Sequence, residues 1–331
     1  MKNGKVTILT PAYNGEKLIH RLLDSILSQT YPYVEMIIIN DGSTDNTCHI
    51  INNYKTKFKE KGYKLTLITQ KNQGLSATIN NGLKLVDGDY LVWPDIDDWF
   101  SQPYSLEKMV NVLKNSSDEI GSVRCAMNLV DENTLQVDHI ALVKPIGQHR
   151  LYRNSMTWQD GIYTNPGAWM IKTKFLDDFI PNRDIYVNNI AGQNAQILWP
   201  YLYYKDTITI EEPLFSYLVR KESHSRNMFK GADRKIQQQI DHVHTFIATI
   251  NSIKDMPIDE KKELSNLQWS RIYSRLTPLC YQYQDQKLYR KYYLLWKSHC
   301  HPYNISFKLK LLYYISIIPL SFKIIRYIKS L

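Results

Sequence analysis

GDYLVWPDIDDWF, residues 88 to 100, runs an apolar stretch from Tyr90 to Trp93 directly into three carboxylates, Asp95, Asp97 and Asp98, within four positions. Like charges this close repel and raise one another's pKa. Such a cluster persists either well solvated, as a polar turn, or around a hard divalent ion that takes oxygen ligands. The second alternative points to phosphate chemistry, and the surrounding sequence bears on the choice.

Upstream, Val6 to Leu9 reads as a buried strand, and GEKLIHRLLDSILSQTY at 15 to 31 puts Ile19, Leu22, Leu23, Ile26 and Leu27 on one helical face. Met36 to Ile39 gives a second strand, stopped by NDGSTDNT, and a less amphipathic helix runs to about Tyr54. KLTLITQ at 64 to 70 is a third strand, KNQG a loop, and Gly74 to Val86 a helix before the strand at Tyr90 to Trp93. Strands alternating with helices predict a parallel sheet covered on both faces, with ligands bound beyond the carboxyl ends of the strands. Four polar strand ends should therefore share one rim: TPAYN at 10 to 14, NDGS at 40 to 43, KNQG at 71 to 74 and the acids at 95 to 98.

Singly these signals are open. Asp41, before a Gly that allows a sharp turn and short polar residues that can cap a helix, reads as turn chemistry or as an acceptor for a base imide or ribose hydroxyl. Tyr13 packs on a flat base or simply on the surface. As an ordered set, PAYN at 11 to 14, DGSTD at 41 to 45, NQG at 72 to 74 and DIDDW at 95 to 99 resemble the family 2 glycosyltransferases, strongly over residues 5 to about 100 and weakly to about 225.

That resemblance implies an α/β chain: a single Rossmann-like A-type glycosyltransferase domain with a mixed, mostly parallel sheet. It implies inverting transfer of a sugar from a nucleotide diphosphate donor, usually a UDP-sugar, with Mn²⁺ or Mg²⁺, onto a glycan or lipid-linked glycan acceptor. Carried over residue by residue, Pro11, Tyr13 and Asp41 line the base, with Asn14, Asn72 and Gly74 in the same nucleotide-binding rim. Asp95 approaches the ribose and the metal, and Asp97 holds the metal. FSYLVRKESHS at 215 to 225 looks like the segment that closes the family's active site, so His224 would be a second metal or pyrophosphate contact and Arg220 or Lys221 a phosphate partner. Asp98 contacts the donor sugar, orients the acceptor or caps the next segment. A divalent cation bridging the diphosphate oxygens stabilises the charge that grows on the leaving group.

One departure stands out. The family's inverting base usually lies in an acidic pair opening a helix, whereas NIAGQNAQILWP at 189 to 200 offers Gln193 and Asn194, and an amide accepts no proton at neutral pH. These two amides could hydrogen-bond sugar hydroxyls or only start a helix. Asp160, Asp184, Glu211 and Glu212 are the nearby carboxylates, none with a motif to recommend it. TNPGAW at 164 to 169 is either an acceptor-side loop with Trp169 stacking on a sugar, or core. The lost acidic pair also admits a catalytically degenerate UDP-sugar-binding subunit, and a transferase acting on a soluble protein or glycan is the other alternative.

At 331 residues, with 44% hydrophobic and 22% charged residues, the chain has the makings of an ordinary globular protein, and its 24 Tyr suit sugar or interface contacts. Cys48, Cys125, Cys280 and Cys300 form no CxxC pair, which predicts neither a zinc site nor a disulfide framework and suits a reducing cytoplasm. The first apolar run is too short for a signal peptide. VRCAMNLV and DTITIEEPLFSYLV look like added strands, and a helical stretch from Asp233 to Ser298 should break at Pro257 and Pro278. The chain thus divides into a nucleotide-sugar half (1–100), an acceptor half (101–230), a helical extension (231–300) and a basic amphipathic tail (301–331).

No Asp or Glu follows Asp285, while nine Lys and Arg do, which equals the net charge of +9. With 12 uncharged residues between Lys310 and Lys323, about 18 Å as helix against a hydrocarbon core of about 30 Å, the tail should not span a membrane. It could lie on one, with Leu320, Ile324, Tyr327, Ile328 and Leu331 on one face, or pack on the body or a sister chain. The expected placement is peripheral, on the cytoplasmic face of the membrane, with no nucleic-acid partner because no recognised module accompanies the basic tail.

Overall fold

VTILTPA carries no charge and is covered on both sides, so β1 (Val6–Ala12) is buried along its whole length, as is β2 (Val34–Asn40). β1 extends past Leu9 to include Pro11, which pairs with Ile39. The computed structural model describes residues 4–145, 148–157, 162–188, 193–221, 232–299, 307–319, 321–323 and 325. The chain forms two compact units, residues 1–221 and 222–331.

In the first unit β1 is followed by α1 (Ile19–Leu27), β2, α2 (Thr47–Glu60), β3 (Lys64–Thr69), α3 (Leu75–Leu83), β4 (Tyr90–Val92) and β5 (Trp99–Phe100). Then come α4 (Ser105–Lys114), β6 (Ile120–Asp131), β7 (Val137–Ala141), α5 (Gln148–Thr157), β8 (Trp169–Lys172), α6 (Leu176–Phe179), α7 (Gln193–Tyr204) and β9 (Asp206–Val219). Among the described residues the strands make one sheet in the order β3-β2-β1-β4-β8-β6-β9-β5, with β7 paired to β6. The long ladders, β1 with β2, β2 with β3 and β6 with β9, are parallel, while β8 runs antiparallel to β4 and β6, and β5 to β9. The sheet is thus mixed where the alternation of strands and helices alone predicts a parallel one.

α1 buries Ile19, Leu22, Leu23 and Ile26, the face its spacing predicts. Burying each such side chain contributes about 1.5–3 kcal/mol relative to leaving it exposed. TNPGAW belongs to the core. Trp169 is 1% exposed, its indole N–H donates to the Tyr163 carbonyl at 3.0 Å, and a Cβ on Gly167 would fall 1.9 Å from the Phe215 ring. The sugar-stacking alternative for Trp169 therefore fails, because the ring face has no opening to solvent.

The second unit comprises α8 (Ala232–Ser252), α9 (Ile258–Gln282), α10 (Gln286–His299) and α11 (Phe307–Ile315). Pro257 stands at the predicted break, between α8 and the first residue of α9, but Pro278 lies inside α9, held among buried Leu276, Thr277 and Cys280. Tyr273, Tyr289, Tyr292 and Tyr293 sit in this unit's core with Trp296, and Tyr293 stacks on Tyr313 with ring centroids 4.4 Å apart. Much of the tyrosine here serves packing rather than sugar contact. Cys48, Cys125 and Cys280 are free thiols, and Cys300 lies outside the described residues. No described helix is long and apolar enough to cross a membrane.

Candidate active site

The carboxyl ends of β1, β2, β3 and β4 are laced together by side chains from the predicted motifs. The β1–β2 ladder continues one step past the strands, where the Asp41 N–H donates to the Ala12 carbonyl at 2.8 Å. Asn14, held at a positive φ of 47°, accepts the Thr44 N–H at 2.8 Å through Oδ1 while its own N–H donates to Ser43 Oγ at 2.9 Å. The PAYN and DGSTD turns therefore fix each other. Thr10 Oγ1 donates to the Pro94 carbonyl at 3.1 Å, tying β1 to the acidic turn.

Asp41 is 5% exposed, and its carboxylate organises the third turn. Oδ1 accepts from Gln70 Nε2 and the Gln73 N–H, both at 2.8 Å, and Oδ2 accepts the Gly74 N–H at 2.9 Å. Gly74 sits at φ 84° and ψ 166°, a conformation essentially confined to glycine, and Gly42, at φ 75°, has the Asn72 N 3.0 Å from where a Cβ would lie. With these interactions the carboxylate retains one open lone-pair direction, while Tyr13, 48% exposed, and Asn72, also exposed, face solvent on the rim. Pro11 is buried within β1, paired with Ile39 of β2.

The acids after β4 are folded into a tight turn in which the Asp98 N–H donates to the Asp95 carbonyl at 3.3 Å. Each has a different environment. The Asp95 side chain accepts no hydrogen bond from a described residue, and burial, reinforced by the charge of Asp97 and opposed by that of Arg220, pushes its carboxyl up to about 7. Asp97 Oδ2 accepts from Arg220, with Nε at 2.8 Å and Nη2 at 2.6 Å. Asp98 is fully buried; Oδ1 accepts the Leu218 N–H at 2.9 Å, and Oδ2 has no partner among the described residues. Burial first, then the charges of Asp97 and Asp95, raise Asp98 well above the usual carboxylate range. The capping role open to Asp98 would engage the segment that follows it, whereas its carboxyl here bonds the end of β9.

Asp95 and Asp97 suit a hard cation: both are oxygen donors with lone pairs not committed to the protein, on one turn, and the rest of a Mg²⁺ or Mn²⁺ shell would come from phosphate and water. The described residues assemble no third His, Cys or acid into a metal-holding group. His224, the third expected ligand, lies outside them, as does Asp160.

On the other side of β4, Trp93 Nε1 donates to Asn194 Oδ1 at 3.2 Å, which brings the first turn of α7 to this rim. Gln193 is 5% exposed. Asp184 pairs with Lys84 at 2.9 Å, and Glu212 accepts from Tyr104 at 2.7 Å and pairs with Lys108, so each has a structural partner. Several positioning residues escape the motif reading. Gln70 holds Asp41, and two amides grip the irregular segment at Ile185 and Tyr186: Asn80 bonds both the N–H and C=O of Ile185, and Gln196 those of Tyr186. Only their proximity in the fold identifies them, since nothing in their spacing marks a site.

Glycosyl transferase family 2 matches residues 7–179. Glycosyltransferase GlyA of Streptococcus pneumoniae is 41% identical over 100 residues, 30% of this chain and 14% of that protein. The matched segments span well under half the length of such curated relatives. Among solved structures, Staphylococcus aureus TarS 1–349 in complex with UDP-GlcNAc shares the fold at a TM-score of 0.54 and 16% identity, over 90% of this chain and 93% of that one. The mannosyltransferase PcManGT from Pyrobaculum calidifontis, in complex with GDP-Man and Mn²⁺, gives 0.51 at 17% identity, over 96% and 81%.

Proposed function

Because this chain belongs to glycosyl transferase family 2, we propose that it transfers a sugar from a nucleotide diphosphate donor, a UDP-sugar, to a hydroxyl of a glycan or lipid-linked glycan, with inversion. The observation that carries the reading is the single rim on which Tyr13, Asp41, Asn72 and the Asp95–Asp98 turn meet, cross-linked from β1 to β4. Tyr13 offers an open ring to the base, and the remaining acceptor direction of Asp41 suits an imide N–H or a ribose hydroxyl. Asp95 and Asp97 would hold the divalent cation, which when bound neutralises charge on the departing diphosphate. Arg220 supplies a planar, permanently charged donor fork to phosphate.

The amides at 193 and 194 favour keeping a second reading, a subunit that binds the donor and transfers nothing. Neither side chain accepts a proton, and the Asn194 oxygen already takes the Trp93 N–H. Incubation with UDP-, GDP- and dTDP-sugars, with Mn²⁺ or EDTA, separates the two. Metal-dependent diphosphate release that Asp97→Asn abolishes supports the transferase; tight UDP binding without turnover, even with membrane lipid supplied, supports the binder.

A lipid-linked acceptor gains support from the second unit. Leu311, Tyr314, Ile317 and Ile318 are 48–64% exposed along α11 and the turn after it, with Lys308 and Lys323 also exposed and no acid after Asp285. The apolar face expected after Pro319, with Leu320, Ile324, Tyr327, Ile328 and Leu331, lies outside the described residues. The four exposed side chains would nonetheless enter an anionic interface from the cytoplasmic side.

A further inference from the structure

Arg220 and a divalent cation would compete for the same oxygen. Both Nε and Nη2 of Arg220 converge on Asp97 Oδ2, at 2.8 and 2.6 Å, in a partly buried pair whose side chains are 26% and 15% exposed. Arg220 also acts on Asp95, the other carboxylate suited to the ion. A guanidinium in this position and a divalent ion on Asp97 repel each other across a short distance, with little water between them to screen the charges.

The backbone around Arg220 is pinned on both sides. Asp98 Oδ1 holds the Leu218 N–H, and Glu132 Oε1 accepts the Lys221 N–H at 2.9 Å. Any departure of the guanidinium from Asp97 therefore proceeds by rotation of the Arg220 side chain, without rearranging the strand end that carries it.

We propose that Arg220 is the resident counter-ion of Asp97 and that donor binding exchanges the partners: the divalent cation takes the Asp97 carboxylate, and Arg220 turns to the diphosphate that arrives with it. The inference rests on the reading of Asp97 as a metal ligand. Its consequence is coupled binding. Metal alone must displace Arg220 without an incoming diphosphate to offset the lost pair, and nucleotide alone finds the guanidinium engaged on Asp97, so each ligand raises the affinity for the other by the same factor.

The test is Mn²⁺ binding, followed by electron paramagnetic resonance or calorimetry, with and without UDP, in the full chain and in Arg220→Gln, Lys17→Gln and Asp97→Asn, each checked by thermal melting. Arg220→Gln is expected to bind Mn²⁺ without UDP several-fold more tightly than the parent. The same variant should bind UDP in the presence of Mn²⁺ about ten-fold more weakly, so that the coupling between the two ligands shrinks. Lys17→Gln, which removes one exposed positive charge from the same unit, should change Mn²⁺ affinity little. Unchanged or weaker Mn²⁺ binding in Arg220→Gln, or equal tightening in Lys17→Gln, would overturn the exchange. If Asp97→Asn binds Mn²⁺ as tightly as the parent, the metal reading itself fails; if it loses Mn²⁺ while Arg220→Gln does not tighten, only the exchange fails.

Discussion

The buried carboxyl of Asp98 accepts the backbone N–H of Leu218 at 2.9 Å, joining the acidic turn after β4 to the end of β9 across 120 residues of chain. This bond sets where Arg220 emerges relative to Asp97. Because burial favours the neutral acid at Asp98, Asp98→Asn is close to an isosteric copy of the state the fold prefers. It should melt near the parent temperature and keep most donor affinity. Asp98→Ala leaves the Leu218 N–H unpaired and should lose about 1–3 kcal/mol of stability, measured by denaturant titration. A large loss of turnover in Asp98→Asn, with its melting point intact, would instead give Asp98 a charged role in the chemistry.

Asp41 acts first on its own protein. Its two oxygens accept from Gln70, Gln73 and Gly74, so Asp41→Ala strands two backbone N–H groups and frees the turn that carries Asn72. We expect UDP affinity to fall by about ten-fold or more, a cost of at least about 1.4 kcal/mol, by calorimetry. Asp41→Asn should still lose affinity, though less, because its one oxygen can serve Gln70 and Gln73 while its NH₂ then meets the Gly74 N–H, donor against donor. Gln70→Ala, which removes one of the three bonds, should fall between these variants and the parent.

A separate carboxyl at the opposite end of the sheet sets a pH dependence. Glu35 is 5% exposed, accepts from Thr7 Oγ1 at 2.6 Å and pairs with Lys5 at 3.2 Å. Burial, helped by the Asp87 carboxylate, raises its pKa above 4.5, while Asp87 is held down at about 2. The folded state therefore keeps a proton on Glu35 at pH values where the unfolded chain has lost it. Stability falls as pH rises from 4.5 through the folded value, and the full cost stands above it. Glu35→Gln has no proton to lose. Its melting temperature relative to the parent should climb between pH 4 and pH 8, and a flat difference over that range would mean that Glu35 is ionised throughout.

The contrast between local and distant contacts explains which parts were legible in the sequence. The DIDDW turn, the α1 face and the shared rim follow from strand ends and helical spacing, which are local properties. The partners of the rim residues are not. Asp97 meets Arg220 across 123 positions, and the amide grips of Asn80 on Ile185 and Gln196 on Tyr186 join segments that no motif links. Trp169 and Gly167 were ambiguous because TNPGAW is followed by a strand whose burial depends on β4 and β6 flanking it. The missing N–H of Pro278 predicts a break, yet α9 continues through it because the side chains on either side are packed.

The exposed residues of the second unit give the last expectation. Leu311, Tyr314, Ile317 and Ile318 are each at least 48% exposed, while Leu312, Ser316 and Phe322 turn inward, so the outer side chains can be changed with little loss of the unit's core. Leu311→Ser with Ile317→Ser and Ile318→Ser should leave the melting temperature within a few degrees of the parent. Sedimentation with vesicles rich in phosphatidylglycerol should drop several-fold in the triple variant, and parent binding should weaken as salt rises, since the lysines act through a screened potential. Equal binding to neutral phosphatidylcholine vesicles would remove the electrostatic part of the argument. A parent that ignores vesicles but runs as a dimer, with the triple variant running as a monomer, would assign the same face to a second copy of the chain.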